Sequence, residues 1–245
     1  MVILIAFATF ISTYIGGLFA LKFKDKLHLV LGFSAGAVIS VAFFDLIPEA
    51  IHLAEGVYDA ETIIKFTAIG FLVYLILDRA VFFHAHHADK EHEHEAHLSH
   101  HKRGVLGAGS LALHSFLDGV AIGLAFQVSI AVGTVVAVAV LIHDFSDGIN
   151  TVNMILRNSG GHVAARKWLL VVALAPIAGA VSTLFFTLSQ DTLAIILAVF
   201  AGFFLYIGAT DLIPESHHAH PKLITTIMTL IGVLVLYVAI QFAHV

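Results

Sequence analysis

One pattern of histidine and aspartate occurs twice in this chain, each time inside a long apolar segment. The copies read H-S-F-L-D-G from His114 and H-D-F-S-D-G from His143. Residues four apart share one face of an α-helix, so His114 and Asp118 point the same way, as do His143 and Asp147. Imidazole nitrogen and carboxylate oxygen together suit a divalent transition metal such as zinc. The pattern therefore indicates a metal site.

The spacing of the two copies predicts that they face each other. Between them the chain turns near 127–133, the only polar or small-residue break in this region. Asp118 and His143 each lie roughly 12 residues from that turn, which is about 18 Å along a helix and near the middle of a ~30 Å hydrocarbon core. Ionisable groups at that depth are costly and by default indicate function. With the third acid, Asp144, they could instead form a proton relay.

The composition is that of a polytopic membrane protein. Of the 245 residues, 59% are hydrophobic and 12% are charged, so a large soluble domain has no room. The absence of cysteine excludes disulfides and thiolate metal sites. The N-terminus lacks a basic segment and a cleavage site, so we expect a retained helix from Met1.

Eight apolar segments are long enough to cross a membrane, which predicts an all-α polytopic fold. They cover 1–21, 28–52, 62–83, 104–127, 131–156, 167–188, 191–213 and 222–243. Lysine and arginine gather after the odd-numbered segments, whereas the loops after the second and sixth are acidic. The positive-inside rule then predicts a cell-membrane protein with both termini outside the cytoplasm.

A second repeat predicts two halves of inverted topology. Asp-Leu-Ile-Pro-Glu begins at Asp45 in the second segment and at Asp211 in the seventh, so the two copies end on opposite sides. Each proline removes a backbone N–H and frees a carbonyl one turn back. The acids Asp45 and Glu49, and likewise Asp211 and Glu215, share a helical face and could form the mouths of an ion pathway.

The predicted organisation is helices 1–3 and 6–8 around a central hairpin of helices 4 and 5. The expected units are 1–83, a histidine-rich cytoplasmic loop at 84–103, the metal-site hairpin at 104–156, and 157–245. Such a polar tract cannot build a packed core, and its imidazoles could capture metal. The capture residues would be His84, His86, His87, His92, His94, His97, His100 and His101, with His217 and His218 after the seventh helix. Exporters, chaperones and storage proteins also carry such tracts.

On these residues the chain resembles the ZIP family of divalent-metal transporters along nearly its whole length. The segment 114–123, H-S-F-L-D-G-V-A-I-G, is similar to the family's fourth-helix signature H-N-x-x-[DE]-G-x-A-[IV]-G. The segments 143–148, 46–49 and 212–215 are similar to its fifth-, second- and seventh-helix motifs. The resemblance implies uptake of zinc, and often of iron, manganese or cadmium, toward the cytoplasm.

The resemblance also implies a ligand set. Its primary site would use His114, Asp118, His143 and Asp147, and a second, bridged site would use Ser115 and Asp144. The chain departs from the family in having Ser115 after the first histidine, where Asn is common. It also has Ala175 before the proline of helix 6, where some members place a glutamate that completes a two-metal centre.

The expected function is therefore transport of a divalent metal, most simply zinc, from outside into the cytoplasm, without enzymatic activity or a catalytic cofactor. Zn²⁺, or Fe²⁺, Mn²⁺ or Cd²⁺, would be the substrate. The expected partners are these ions and the lipid bilayer, with a second copy of the chain as a further candidate and no nucleic acid. Two alternatives stay open at this point: a metal exporter of the cation diffusion facilitator type, and a zinc-dependent intramembrane hydrolase with Asp144 as general base.

Overall fold

The structure is a computed structural model, and every part of it that can be described is helical or loop, without strands. It describes the backbone of residues 1–20, 27–87, 96–158, 161–218 and 223–243. Side chains are described for 1–20, 28–79, 104–156, 158, 161–216 and 223–242. In this part of the chain eight helices are long and apolar enough to cross a membrane, which confirms the predicted all-α polytopic fold.

We label these helices α1–α8. They are α1 (Val2–Ala20), α2 (Leu27–Val41, a π-helical turn Ala42–Leu46, and Ile47–Leu53), α3 (Ala60–His87), α4 (Ala96–Val128), α5 (Ile130–Arg157), α6 (His162–Ser182, continued by the 3-10 turn Thr183–Phe185), α7 (Gln190–Tyr206, a π-helical turn Ile207–Leu212, and Ile213–His218) and α8 (Leu223–Ala243).

Four helix ends lie four or more residues beyond their predicted bounds. α7 continues to His218, five residues past the predicted end at 213. α6 begins at His162, five residues before the predicted start at Lys167. α3 continues to His87 and α4 begins at Ala96, so both helices extend into the tract at 84–103 that we expected to be irregular. Helix propagation needs only local hydrogen bonds, and Ala85, Ala96 and Leu98 in these extensions have high helix propensity.

The start of α3 is fixed by a cap. The backbone N–H of Thr62 donates to Asp59 Oδ1 at 2.9 Å, which satisfies one of the free donors at the helix N-terminus. Hydrogen bonds from the Thr62 hydroxyl and backbone lower the pKa of Asp59 below its ordinary value. Asp59 therefore stays a charged acid in the loop between α2 and α3.

The helices pack through small residues and turn large ones outward. On α1 the buried positions are Ala6, Thr9, Thr13, Gly16, Gly17 and Ala20. The exposed large residues of the same helix are Ile3, Leu4, Phe7, Ile11, Ile15 and Leu18. Lipid solvates large apolar side chains as well as a protein interior does, so helices in a membrane gain most from the close approach that small residues permit.

Four helix pairs are joined by reciprocal glycine contacts, in which a Cβ on either glycine would overlap a backbone carbonyl oxygen of the partner helix. The pairs are α1–α5 (Gly16 with Phe145, Gly148 with Thr13), α4–α6 (Gly119 with Pro176, Gly179 with Phe116), α2–α8 (Gly36 with Thr229, Gly232 with Phe33) and α3–α7 (Gly70 with Val199, Gly202 with Thr67). These crossings hold backbone against backbone, so they fix how each helix is rotated about its axis.

The pairs form two groups, α1, α4, α5 and α6 in one and α2, α3, α7 and α8 in the other. The α4–α5 hairpin lies against α1 and α6 and also contacts α2, α3 and α7, so it is central, as predicted. The four close pairs map onto one another when α1–α3 exchange with α6–α8 and α4 with α5. That is the packing an inverted repeat would produce, and the inverted relation itself stays a prediction.

The two Asp-Leu-Ile-Pro-Glu copies share a local distortion. Each lies at the end of a π-helical turn, Ala42–Leu46 in α2 and Ile207–Leu212 in α7. The prolines, Pro48 and Pro214, lack the N–H that would bond to the carbonyls of residues 44 and 210, which fall inside those turns. The loss of a regular bond therefore accounts for the π-helical geometry at both places.

Candidate metal centre

The site lies in the hairpin of α4 and α5, whose turn is as short as it can be. Only Ser129 separates the two helices, and its hydroxyl oxygen accepts a hydrogen bond from the Val132 N–H at 3.1 Å. The Gln127 side-chain amide donates to the carbonyls of Thr183 (3.1 Å) and Phe186 (2.9 Å), which ties the hairpin to the end of α6. A tight, anchored turn fixes the register of the helices, so residues equally far from it lie at the same depth.

Four side chains of the hairpin converge. One potential ligand atom from each of His114, Asp118, His143 and Asp147 lies within 4.8 Å of all the others. Asp118 Oδ2 contacts both imidazoles, at 3.2 Å from His114 Nε2 and 3.3 Å from His143 Nε2. Asp147 Oδ2 lies 3.3 Å from His114 Nε2. Each helix thus supplies one imidazole and one carboxylate.

The separations fit a small cation. Zinc takes ligands tetrahedrally at about 2.0–2.1 Å, which places neighbouring ligand atoms about 3.3 Å apart. Three of the six separations among the four ligand atoms, at 3.2, 3.3 and 3.3 Å, have about that length, and the others are at most 4.8 Å. Despite these short contacts, His114 Nε2 and Asp147 Oδ2 make no well-aligned hydrogen bond within the described part of the chain. Buried polar atoms without such bonds are costly, and a shared cation would satisfy them.

The imidazole of His143 is held in the orientation that a ligand needs. Its Nδ1–H donates to the carbonyl oxygen of Ala139 at 3.0 Å, one turn earlier on α5. A neutral imidazole with its proton on Nδ1 presents the Nε2 lone pair, here toward Asp118. Such an outer hydrogen bond is the usual companion of a metal-binding histidine.

Burial and charge make the cluster a strong site for a dication. His143 is fully buried, and His114, Asp118 and Asp147 are at most 6% exposed. With both histidines neutral and both aspartates ionised, the four residues carry two negative charges. A dication would neutralise them and thereby offset most of the cost of holding charge away from water.

The glycine that follows each aspartate positions the cluster. Gly119 lies against the Pro176 carbonyl of α6, and Gly148 lies against the Thr13 carbonyl of α1. Because neither contact leaves room for a Cβ, the helix faces that carry Asp118 and Asp147 must turn inward, toward each other.

The structure leaves two of the six predicted ligands outside this group. Asp144 Oδ1 is 3.9 Å from His143 Nε2, and both Asp144 oxygens lack a hydrogen bond to any described residue. Ser115 is fully buried, and its hydroxyl likewise finds no partner among the described residues. Asp144 therefore borders the cluster without joining it, and a second site that uses these two residues stays a prediction.

The predicted pathway acids differ in exposure. Asp45 is 2% exposed and Glu49 is half-buried, whereas Asp211 and Glu215 are exposed. Asp211 interacts electrostatically with His114 and Asp147 of the cluster.

The predicted metal-capture histidines lie outside the described side chains. These are His84, His86, His87, His92, His94, His97, His100, His101, His217 and His218. Their role stays a prediction.

Sequence reasoning missed the aromatic residues that line the cluster. The ring of Tyr74 meets the His114 ring edge-on at a centroid distance of 5.9 Å, and Phe204 does the same to His143 at 5.8 Å. Both belong to helices of the other group, α3 and α7. Aromatic residues are common in apolar helices, so no signal in the sequence distinguished these two from lipid-facing ones.

Comparison with known proteins finds relatives that are named as zinc or metal transporters. Residues 86–239 match the family model described as ZIP Zinc transporter. The chain is 28% identical over 225 residues to zinc transporter ZupT of Shigella dysenteriae, covering 90% of this chain and 86% of that protein. It is 30% identical over 130 residues to zinc transporter foi of Drosophila melanogaster, and 35% over 108 residues to metal cation symporter ZIP8 of Rattus norvegicus. These two matches cover 53% and 43% of this chain but only 18% and 23% of the relatives, so the chain spans a small part of their length.

Proposed function

Because the chain belongs to the ZIP zinc transporter family, we propose that it carries zinc from outside into the cytoplasm through the cluster of His114, Asp118, His143 and Asp147. The observation that carries the proposal is the convergence of these four buried side chains, with ligand atoms within 4.8 Å of one another. Nitrogen and oxygen ligands without thiolate also admit Fe²⁺, Mn²⁺ and Cd²⁺ as further substrates.

The proposed path follows the charged residues of the hairpin and of the two repeats on α2 and α7. Zinc enters from the outer side, past the hairpin mouth or near Asp45 and Glu49, and exchanges its water for neutral imidazoles and ionised carboxylates. It leaves toward Asp211 and Glu215 and the histidine-rich tract, where imidazoles would collect it. No ATPase motif occurs in the sequence, so the driving force would be an ion gradient, a membrane potential of about 2.3 kcal/mol per charge per 100 mV, or cytoplasmic buffering.

Access to the cluster must alternate between the two sides. The ligands belong to the group of α1, α4, α5 and α6, while their aromatic neighbours belong to the group of α2, α3, α7 and α8. A rocking or elevator-like shift of one group against the other would expose the cluster to each side in turn. The glycine crossings lie within the groups, so this shift would leave them intact.

The orientation can be tested because the chain has no native cysteine. Single cysteines at Val57, in the loop after α2, and at Gly161, in the loop after α5, should react with an impermeant thiol reagent from opposite sides. We expect Val57→Cys to label on intact cells and Gly161→Cys only after permeabilisation. The reverse pattern would place the termini in the cytoplasm and contradict the proposed direction.

The transport test is zinc uptake into liposomes that contain the purified protein and a zinc-sensitive dye. We expect saturable influx that is lost in Asp118→Ala and in His114→Ala and kept in Asp191→Ala, whose exposed side chain lies at the start of α7. Bound zinc without flux in the wild type would contradict transport, and lipid hydrolysis by that preparation would indicate a zinc-dependent hydrolase instead.

A homodimer stays a prediction. The mass of the purified protein in detergent would test it.

A further inference from the structure

The aromatic neighbours of the cluster form a connected group that belongs to the other helix group. Tyr74 on α3 packs against Phe203 (5.3 Å) and Tyr206 (5.2 Å) on α7, and its ring also meets the His114 ring at 5.9 Å, with the two planes 87° apart. Tyr206 is itself fixed, because its hydroxyl donates to Asp78 Oδ2 at 2.8 Å. Tyr74 therefore packs between His114 of the metal cluster and the two aromatic rings of α7, Phe203 and Tyr206.

The phenol of Tyr74 interacts electrostatically with two sets of acids. One set is Asp118 and Asp147 in the cluster, and the other is Asp78 and Asp211. Asp78 follows Tyr74 by one turn, about 6 Å further along α3.

Asp211 occupies the corresponding place on α7. It follows Phe204, which contacts His143, by about two turns. Since α3 and α7 pack in parallel, with Thr67 beside Gly202 and Tyr74 beside Tyr206, both acids lie toward the same end of the molecule.

We propose that Tyr74 is the barrier between the metal cluster and the Asp78–Asp211 end of the helices, and that its ring must swing away before an ion can pass. The aromatic ring cannot replace the water or the oxygen ligands of a dication along the path, so an ion meets resistance there while the ring is in place. Unlike the four ligands, Tyr74 would control the rate of passage and contribute little to the affinity. This inference rests on the proposed function and assigns a further residue to the same site.

If Tyr74 is a barrier, its removal should change the rates of zinc binding and release, whereas a residue that only positions His114 would change the affinity. Each aromatic contact that opening must break slows passage by a factor of about 2 to 10. Removing the ring in Tyr74→Ala should therefore speed both zinc binding and chelator-induced release by about tenfold. Because both rates rise together, the equilibrium Kd for zinc should stay within about threefold of the wild type.

The test measures zinc association and EDTA-induced zinc release by stopped flow, with Kd from calorimetry, on purified full-length protein in detergent. Tyr74→Phe keeps the ring and should behave as wild type, while the larger ring in Tyr74→Trp should slow both rates even if the alanine variant fails to fold. The matched control is Phe71→Ala, which removes another aromatic partner of Tyr206 (5.3 Å) from the same helix and should leave both rates within about twofold.

The outcomes separate the barrier from the proposed function. Unchanged rates in both Tyr74→Ala and Tyr74→Trp, or a higher release rate with an unchanged binding rate, would overturn the barrier, and the second result would mean that Tyr74 positions His114. A wild-type protein that binds no zinc, or whose binding survives Asp118→Ala, would instead overturn the proposed site and function.

Discussion

Replacing Asp118 with asparagine should weaken zinc binding more than the same replacement at Asp147, the other carboxylate of the cluster. Asp118 Oδ2 is the one cluster atom found within 3.3 Å of both His114 Nε2 and His143 Nε2 among the described residues. Asparagine has nearly the same shape and keeps one oxygen ligand, so the substitution removes one negative charge without opening a cavity.

The magnitude follows from that charge. Two unit charges at 4 Å interact by about 4 kcal/mol at an effective dielectric constant of about 20. The dication doubles this attraction, while water entry and the retained amide oxygen offset part of it. We expect a net loss of about 3–4 kcal/mol, which lowers zinc affinity between about 100-fold and 1,000-fold.

The assay is zinc titration of the purified protein by calorimetry, with competition by a chelator where binding is tight. Asp147→Asn should cause a smaller loss, because among the described residues Asp147 Oδ2 has such a contact, at 3.3 Å, with one histidine, His114, instead of two. Asp191→Asn removes an exposed carboxylate at the start of α7 and should leave the affinity within about twofold. An Asp118→Asn protein that binds zinc within about threefold of the wild type would refute the cluster as the metal site.

Three further predictions concern packing, pH and coordination. Gly119→Ala should destabilise the protein by about 1–3 kcal/mol and impair zinc binding, because the added Cβ would overlap the Pro176 carbonyl. The control is Gly109→Ala on the same helix, where the space is open, and it should raise or leave unchanged the melting temperature in detergent. Zinc affinity should fall as the pH is lowered, since protonated imidazoles and carboxylates cannot bind metal, and calorimetry in buffers of different ionisation enthalpy should detect proton release on binding wherever the ligands start protonated. X-ray absorption of the zinc-loaded protein should show nitrogen and oxygen ligands at about 2.0–2.2 Å and no sulfur. His114→Ala and His143→Ala should each remove one imidazole ligand from the spectrum. An unchanged number of imidazoles in both variants would contradict the assigned ligands.

The shared direction of the metal ligands could be predicted from the sequence because it depends on local rules. Helical periodicity places His114 and Asp118 on one face of an apolar helix that is long enough to cross a membrane. The same rules placed His143 and Asp147 on the next helix.

Local rules could not decide which of the six candidate ligands converge. Ser115 and Asp144 lie one residue from a histidine of the cluster, and the rotation of α4 and α5 about their axes leaves both outside it. That rotation is set by contacts with other helices, at Gly119 against α6 and Gly148 against α1. A glycine in the sequence indicates that a close approach is allowed, but not which carbonyl fills the space.

The sequence by itself determined the eight helices and the pairing of histidine with aspartate on one helix face, because apolar segment length and helical spacing are properties of the local sequence. Only the tertiary structure decided that Asp118 touches both histidines, that Asp144 stays at the edge and that Tyr74 lies against His114. These features depend on contacts between helices distant in sequence, whose rotation and crossing result from packing of the whole molecule.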